Sequence, residues 1–329
     1  MWEQDVLVNV AGQVGEATAP AEVAAPSAGV FTRRNLVVAA LLFVGALVCF
    51  AGLARVCHLP LRAASPYNYF ADQASAWLHL RWYLINPGST IDLIKLNGHY
   101  YSIYGPFPSV LMLPLVALFG GVNDVYFTMV FSALNLSLLF LLFEQARANG
   151  LTRRGWRENA VWSVFLYVGS TALFLSLTGF VWYTGHIVSC ACLLLSLLLA
   201  LRRHFVWSAV ALGGAFFTRS IPLLGFPFLL YLAWQDGVAG HEVEAFVASV
   251  RARRPNWRAV PWRRLGGVIA VFGACLVLYA LRNWSMFGNP LESGYNIQRV
   301  QHYAFVTHGV FSPYYIPANL INDFFNFPH

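Results

Sequence analysis

The chain has 329 residues, of which 58% are hydrophobic and only 11% are charged. A soluble domain carries roughly a quarter charged residues, so this composition excludes an all-β secreted protein, a disordered chain and a nucleic-acid-binding domain. The apolar residues lie in several long runs, which predicts an all-α polytopic membrane protein. The formal net charge of +7 then reports orientation and contact with anionic membrane lipids, not binding of nucleic acid.

Two apolar segments leave the number of membrane spans open. Residues 107–121 are short and contain Pro108 and Pro114, and residues 205–234 are interrupted at 218–222. Because cytoplasmic loops are enriched in Lys and Arg, the cations decide between the topologies. If the first segment is re-entrant or superficial and the second is a hairpin, 14 of 21 cations lie in the cytoplasm with the N-terminus. If the first segment crosses the membrane, only 5 of the 21 cations lie in the cytoplasm.

The first topology therefore gives about seven spans, at 35–54, 124–145, 159–180, 182–201, 205–218, 220–235 and 265–282. Residues 1–34 form a flexible cytoplasmic tail, residues 35–282 the transmembrane core, and residues 283–329 an extracytoplasmic segment. Within the core, a long first loop at 55–123 lies outside the plasma membrane and a basic loop at 236–264 lies in the cytoplasm.

The first outer loop contains two acidic residues of interest. Aromatic and aliphatic residues recur at helical spacing over 67–83, which predicts a helix on the membrane surface with Asp72 near its start. A charge there is also favoured by the helix dipole alone, so a structural role stays open. Further along, Asn97-Gly98 is a turn signal. Asp92 and Lys95 precede it, and simple pairing between them at the surface is an alternative to a functional role.

Arg219 lies at the tip of the predicted hairpin. Each arm of about 15 residues is roughly 22 Å long, whereas the hydrocarbon core is about 30 Å thick. A cation at that depth is costly unless it lines a wet cavity or meets an anion. We therefore predict an anion site, with a snorkelling structural arginine as the alternative. His186 and Arg282 lie at the outer ends of their spans and could face the same cavity or serve as interfacial residues.

These segments together resemble the GT-C glycosyltransferases, integral-membrane enzymes that use polyprenyl-phosphate sugars. The resemblance is greatest to the bacterial relatives of protein O-mannosyltransferases and aminoarabinose transferases. The residues that carry it are Tyr69-Phe70-Ala71-Asp72, Gly98-His99-Tyr100-Tyr101, Gly105-Pro106-Phe107-Pro108, Thr218-Arg219-Ser220, Phe287-Gly288-Asn289-Pro290 and Ser293-Gly294-Tyr295. Members of this superfamily often continue with more spans and an outer domain, so we expect that the segment 283–329 is truncated.

The resemblance implies a membrane glycosyltransferase with a GT-C-like core. It would move a sugar from a polyprenyl-phosphate donor to a hydroxyl of a glycan, lipid or protein acceptor on the extracytoplasmic face, by inverting displacement. The family's acidic residue maps onto Asp72 as general base. Many members have a second adjacent acid where this chain has Gln73, so Asp92 is the reserve candidate.

The remaining site residues follow from the same expectation. The residues predicted to bind the donor phosphate are Arg219, Arg282, Lys95 and His186. The residues predicted to form the substrate loop are Tyr69, His99, Tyr100, Tyr101, Glu292 and Tyr295. We expect no nucleotide cofactor, because the donor is already lipid-activated, and no motif supports a divalent metal, although its requirement stays open. The predicted partners are the donor, the acceptor and membrane lipids.

Two alternatives to a transferase remain. A flippase or transporter of lipid-linked sugars would also need a wet, cationic cavity, but it would favour gates on both faces and internal repeats, and the sequence contains no detectable repeat. A structural membrane subunit would show no dependence on Asp72.

Overall fold

The computed structural model describes residues 30–237, 262–302, 307–308 and 312–325. The predicted tail, apart from its last residues, and most of the basic loop lie outside the described residues. The α-helices are α1 (Arg33–Val56), α2 (Tyr69–Leu78), α3 (Phe107–Phe119), α4 (Asp124–Ala148), α5 (Trp156–Val168), α6 (Thr171–Ser176), α7 (Val181–Leu201), α8 (Phe205–Phe216), α9 (Gly225–Gly237), α10 (Trp262–Phe287), α11 (Tyr295–His302) and α12 (Ile316–Phe325). The strands are β1 (Leu93–Leu96) and β2 (His99–Ser102), and the short 3₁₀ helices are Ile221–Leu224 and Pro313–Tyr315.

Four of the described helices are long and apolar enough to cross a membrane. They are α1, α4, α7 and the part of α10 at Arg264–Phe287. Large apolar side chains on α1 are exposed, among them Leu41, Val44 and Val48, which are 67%, 56% and 69% exposed. Such a surface is typical of a helix that faces lipid. The prediction of a helical membrane protein agrees with these features, and the four helices match four of the predicted spans.

None of the other three predicted spans is a single long helix. The segment 159–180 is broken into α5 and α6 at Gly169-Ser170, where the Ser170 hydroxyl accepts a hydrogen bond from the backbone N–H of Ala172 at 3.3 Å and so caps α6. The segment 205–235 is a pair of short helices, α8 and α9, joined through the 3₁₀ turn. The segment 159–180 is therefore two helices, because Gly-Ser ends one helix and starts another, and the count of about seven spans is not confirmed.

The helix α4 is central and packs against α1, α5 and α7. At its C-terminal end Glu144 is fully buried and forms ion pairs with Arg147 at 2.9 Å and Arg34 at 3.7 Å. Glu144 also accepts a hydrogen bond from Asn159 at 2.7 Å. These contacts join the ends of α1, α4 and α5, and they gather predicted cytoplasmic arginines at one end of the bundle.

The first outer loop folds at the opposite end, which we call the loop end. Helix α2 packs against α3, and Ser109 donates a hydrogen bond to the side-chain oxygen of Gln73 at 2.9 Å. Most residues of α2 are buried, so α2 is part of the protein core and not a helix lying freely on a surface. Strands β1 and β2 form an antiparallel hairpin around Asn97-Gly98, whose φ angles of 49° and 82° suit a tight hairpin turn. The predicted turn is confirmed. The predicted all-α fold is incomplete, because it leaves out strands β1 and β2.

Helix α3 occupies the segment predicted as re-entrant or superficial. Its 13 residues measure about 20 Å at 1.5 Å per residue, which is short for a bilayer of about 30 Å. Pro108 lies in the first turn, where its missing N–H costs nothing. Gly120 ends the helix with a φ of 74°, a left-handed conformation that favours glycine.

Candidate functional site

A cavity of about 240 Å³ lies at the loop end, where the segment before α3 meets the ends of α8, α10 and α11. We call it the arginine cavity, because two arginines line it. Its lining residues are Ile103, Tyr104, Gly105, Phe216, Thr218, Arg219, Ser220, Ile221, Tyr279, Arg282 and Tyr295.

Among the residues that the structure describes, the two guanidinium groups of this cavity bond only to neutral protein atoms. Arg219 donates a hydrogen bond to the carbonyl of Trp182 at 2.9 Å, and Arg282 donates one to the carbonyl of Tyr104 at 3.0 Å. The Nε atom of each arginine is buried and has no hydrogen-bond partner in the described part of the chain. Within the described ranges, neither arginine has a carboxylate within 4.0 Å. Because a buried cation without a counter-ion is unfavourable, this arrangement suits an anionic ligand.

Backbone contact between two distant segments places Arg219 in the cavity. The N–H of Phe107 donates a hydrogen bond to the carbonyl of Phe217 at 3.0 Å. A Cβ atom on Gly105 would lie 2.7 Å from the carbonyl carbon of Phe217, which is closer than real side chains approach. Glycine is therefore required here for the segment before α3 to contact the end of α8.

The close approach at Gly105 gives a stability prediction. Replacing Gly105 by alanine should lower the free energy of unfolding by about 1–3 kcal/mol, the usual cost of overpacking, because Phe217 must move. Thermal unfolding of the purified protein in detergent measures the change. Gly121→Ala is the matched control, since a Cβ atom there meets nothing within 4 Å. Equal unfolding temperatures for the two variants would contradict the close approach.

Asp92 is connected to the arginine cavity through hydrogen bonds. Its carboxylate accepts hydrogen bonds from the Tyr104 hydroxyl at 3.1 Å, the Trp182 indole at 3.1 Å and the Gln298 amide at 3.3 Å. Trp182 thus bonds Asp92 through its side chain and Arg219 through its backbone carbonyl. The acid that the sequence offers as a reserve is the one that these bonds join to the cavity.

Asp72 has a different environment. It lies on α2, half-buried, and burial raises the pKa of its carboxyl to about 6, with a further contribution from the Asp124 carboxylate. No other residue in the described part of the chain donates a hydrogen bond to the Asp72 side chain. Asp124, by contrast, accepts hydrogen bonds from the backbone N–H and the hydroxyl of Ser65, at 2.8 and 2.5 Å. Asp72 therefore keeps a carboxylate that can accept a proton.

Tyr295 and Tyr69 are both predicted to form the substrate loop, but their surroundings in the structure differ. Tyr295 lines the arginine cavity, and burial raises the pKa of its phenol, while the charges of Arg219 and Arg282 act in the opposite direction. Tyr69 is fully buried and donates a hydrogen bond to the carbonyl of Ile91 at 2.7 Å. Burial raises the pKa of the Tyr69 phenol as well, with smaller contributions from Asp92 and Asp72. Tyr69 is therefore a structural contact between the two acidic segments.

The hairpin residues lie outside the arginine cavity. His99 is exposed and stacks on Tyr83 with ring centroids 3.9 Å apart, and Tyr101 contacts the same ring edge-on at 6.3 Å. The Lys95 side chain, on β1, is exposed, and its ammonium lies 5.6 Å from the centre of the Tyr100 ring. Lys95 is thus exposed and does not line the arginine cavity.

Glu292 and His186 do not line the arginine cavity, although a Cβ atom on Gly185, next to His186, would lie 3.5 Å from Nε of Arg219. Glu292 accepts a hydrogen bond from the backbone N–H of Gly294 at 2.7 Å, just before α11. His186 lines a separate groove beside α6. The structure thus joins Arg219, Arg282 and Tyr295 in one cavity, and it places the other candidates elsewhere.

Three contributing residues are missed by sequence reasoning: Tyr104, Trp182 and Gln298. Tyr104 directly precedes the Gly105-Pro106 pair, which is a usable signal. Trp182 at the start of a span resembles an ordinary interfacial aromatic. Gln298 gives no signal, because its role depends on how α11 packs on β1.

An apolar groove of about 390 Å³ adjoins the arginine cavity. It is lined by Trp77, Trp82, Pro106, Phe107, Val110, Phe217, Leu278 and Arg282. Arg282 lines both spaces, so an apolar surface leads directly to a cationic one. This combination is suited to an amphiphile with an anionic head.

In the described ranges, no group of three or more His, Cys, Asp or Glu side chains is placed to hold a metal ion.

No protein-family profile, no curated protein and no solved structure matches the chain. The functional argument therefore depends on the chemistry of the residues themselves.

Proposed function

We propose that the protein is a membrane glycosyltransferase of the GT-C type, with about seven spans and a cytoplasmic N-terminus. It transfers a sugar from a polyprenyl-phosphate donor to a hydroxyl acceptor on the extracytoplasmic face of the plasma membrane. The observation that supports this proposal is the junction at Arg282 between the arginine cavity and the apolar groove. A donor lipid has both matching parts, a phosphate and an isoprenoid chain.

The proposed reaction is a single displacement. The acceptor oxygen forms a bond to the anomeric carbon, and the bond between that carbon and the phosphate oxygen breaks, which inverts the anomeric centre. The hydroxyl proton passes to the Asp72 carboxylate. The electron pair of the broken bond remains on the polyprenyl phosphate, where Arg219 and Arg282 stabilise the added charge.

The two acids have separate roles in this proposal. Asp72 has no hydrogen-bond donor among the described residues and a pKa near 6, properties that favour a general base near neutral pH. Asp92 is bonded by Tyr104, Trp182 and Gln298. We assign it to positioning, because it holds Trp182 against Arg219.

The proposal is tested by incubating purified protein in nanodiscs with a polyprenyl-phosphate sugar and a mixture of cell-envelope acceptors. We expect release of polyprenyl phosphate together with the appearance of glycosylated product. A parallel assay in proteoliposomes measures movement of the donor between leaflets. Movement without cleavage would contradict the transferase proposal and support a flippase or transporter.

The assignment of Asp72 predicts the pH dependence of transfer. A general base must be deprotonated, so the rate should rise with pH through about 6, the pKa of the Asp72 carboxyl, and level off above it. Initial rates between pH 4.5 and 8 provide the measurement. A rate that is constant across this range would contradict Asp72 as the base.

A further inference from the structure

A groove of about 620 Å³ lies between α1 and α5. We call it the α1–α5 groove. Its described lining residues are all apolar and come from Leu42 on α1 and from the segment 160–169. Val161 and Phe165, on its α5 wall, are 66% and 62% exposed. The groove is therefore open to the surrounding lipid, and its lining alone does not select an occupant.

Both walls of the groove lead to an arginine, at the end of the bundle opposite the loop end. On α5, Arg157 precedes Val161 by four residues and Val168 by eleven, so the three residues lie along one face of the helix. On α1, Arg34 precedes Leu42 by eight residues, which also belong to one helical stripe. Two cations therefore lie at the same end of an uncharged groove.

The indole ring of Trp156 brings these two cations together. The guanidinium carbon of Arg34 lies 5.8 Å from the ring centre, and that of Arg157 lies 5.4 Å from it. Cation–π attraction holds both side chains near the ring. Trp156 is also the first residue of α5, and tryptophan is enriched at the level of the lipid headgroups. We call the two arginines and this ring the Trp156 cluster.

The protein neutralises the Trp156 cluster only in part. The buried Glu144 carboxylate lies 2.9 Å from Arg147 but 3.7 Å from Arg34, which is beyond hydrogen-bond distance. Among the residues that the structure describes, Arg157 has no carboxylate within 4.0 Å. Its neighbour Glu158 accepts a hydrogen bond from the backbone at the start of α5 instead. The remaining positive charge at the membrane surface attracts an anionic headgroup.

We propose that the α1–α5 groove and the Trp156 cluster together bind one anionic phospholipid from the leaflet at this end of the bundle. The phosphate lies between Arg34 and Arg157, and an acyl chain lies in the groove. From Arg157 to Val168, α5 is about 16 Å long at 1.5 Å per residue, close to half of a hydrocarbon core of about 30 Å. The groove thus matches the depth of one leaflet. The proposal depends on a bundle that lies in a membrane and not on sugar transfer.

The test uses two photoreactive phospholipids in phosphatidylcholine nanodiscs. One is a phosphatidylglycerol with a diazirine in an acyl chain, and the other is a phosphatidylcholine with the same chains, so the probes differ in the net charge of the headgroup. After irradiation, mass spectrometry identifies the labelled residues. In the wild-type protein, we expect the phosphatidylglycerol probe to label residues 158–169 about tenfold more than the phosphatidylcholine probe, because two basic residues lie near the membrane surface. In about 1 M salt, where the Debye length falls to about 3 Å, this preference should largely disappear.

Three variants complete the experiment. Arg157→Gln leaves the Glu144 ion pairs intact and should reduce the preference to about threefold, since one of the two cations remains. The double variant Arg34→Gln with Arg157→Gln should label equally with both probes. Arg62→Gln is the matched control, because it removes the same charge from an exposed position at the loop end and should leave labelling unchanged.

Two results would overturn the proposal directly. One is equal labelling of the wild-type protein by both probes, and the other is an unchanged preference in the double variant. Absence of labelling at residues 158–169 by either probe would also overturn it, because protein and not lipid would then cover the α1–α5 groove. These outcomes do not depend on any transfer assay.

Discussion

Replacing Asp72 by asparagine is expected to reduce transfer by about 10²–10⁴-fold, the usual contribution of a general base, while the protein becomes more stable near neutral pH. The structural reason is that burial raises the pKa of Asp72 to about 6. The charged form is therefore disfavoured in the folded state, and a neutral amide removes that cost. Initial transfer rates and thermal unfolding in the same detergent measure the two effects.

The sign of the stability effect depends on pH. An aspartate has a pKa of about 3.9 in an unfolded chain, below the folded value. Stability from protonated Asp72 is thus fully present below pH 4 and is lost as the pH rises through 6. The gain from Asp72→Asn should therefore be seen at pH 7 and disappear near pH 4.

Asp92→Asn is the matched comparison for this variant. Asp92 accepts three side-chain hydrogen bonds, and an amide offers only one acceptor oxygen. We expect unfolding to become easier by about 1–3 kcal/mol, the cost of leaving a buried donor unpaired. Near-normal activity of Asp72→Asn combined with complete loss in Asp92→Asn would transfer the role of base to Asp92.

Replacing Arg219 by glutamine is expected to reduce transfer by about 10²–10³-fold, the effect of removing one preorganised donor to developing charge. Glutamine keeps part of the length of the side chain but removes the cation that is proposed to face the donor phosphate. Binding of polyprenyl phosphate should weaken as well, and titration with a fluorescent polyprenyl phosphate measures this. Arg219→Lys should recover part of the activity, because it keeps the charge but not the planar fork.

Arg62→Gln is the control for net charge in this experiment. Arg62 is exposed at the loop end and does not line the arginine cavity. The Arg62→Gln variant should bind polyprenyl phosphate and transfer sugar like the wild-type protein. Equal losses in Arg62→Gln and Arg219→Gln would show that overall charge, not a site, governs donor binding.

Much of the fold could be predicted from local sequence. The long apolar runs predict α1, α4, α7 and α10, and Asn97-Gly98 predicts a turn. The break between α5 and α6 could not be predicted from hydropathy alone, because the segment stays apolar across Gly169-Ser170. Burial of α2 was also unpredictable, since it depends on α3 folding back over it.

The candidate site was less predictable than the fold. Arg219 and Arg282 could be selected because each is a cation at the end of an apolar run. Their common cavity depends on the close approach at Gly105, which the sequence does not specify. His186 also lies in an apolar run, but it lines a separate groove beside α6. Lys95 belongs to the first outer loop and lies exposed beside Tyr100.

The central claim is that the arginine cavity binds the phosphate of a polyprenyl-phosphate donor. A cryo-electron microscopy structure of the protein with bound polyprenyl phosphate tests this most directly. We predict that the phosphate lies within hydrogen-bond distance of both Arg219 and Arg282, with the isoprenoid chain in the apolar groove between Trp77 and Phe107. Phosphate density away from these arginines, with the cavity closed to the lipid, would contradict the proposed function.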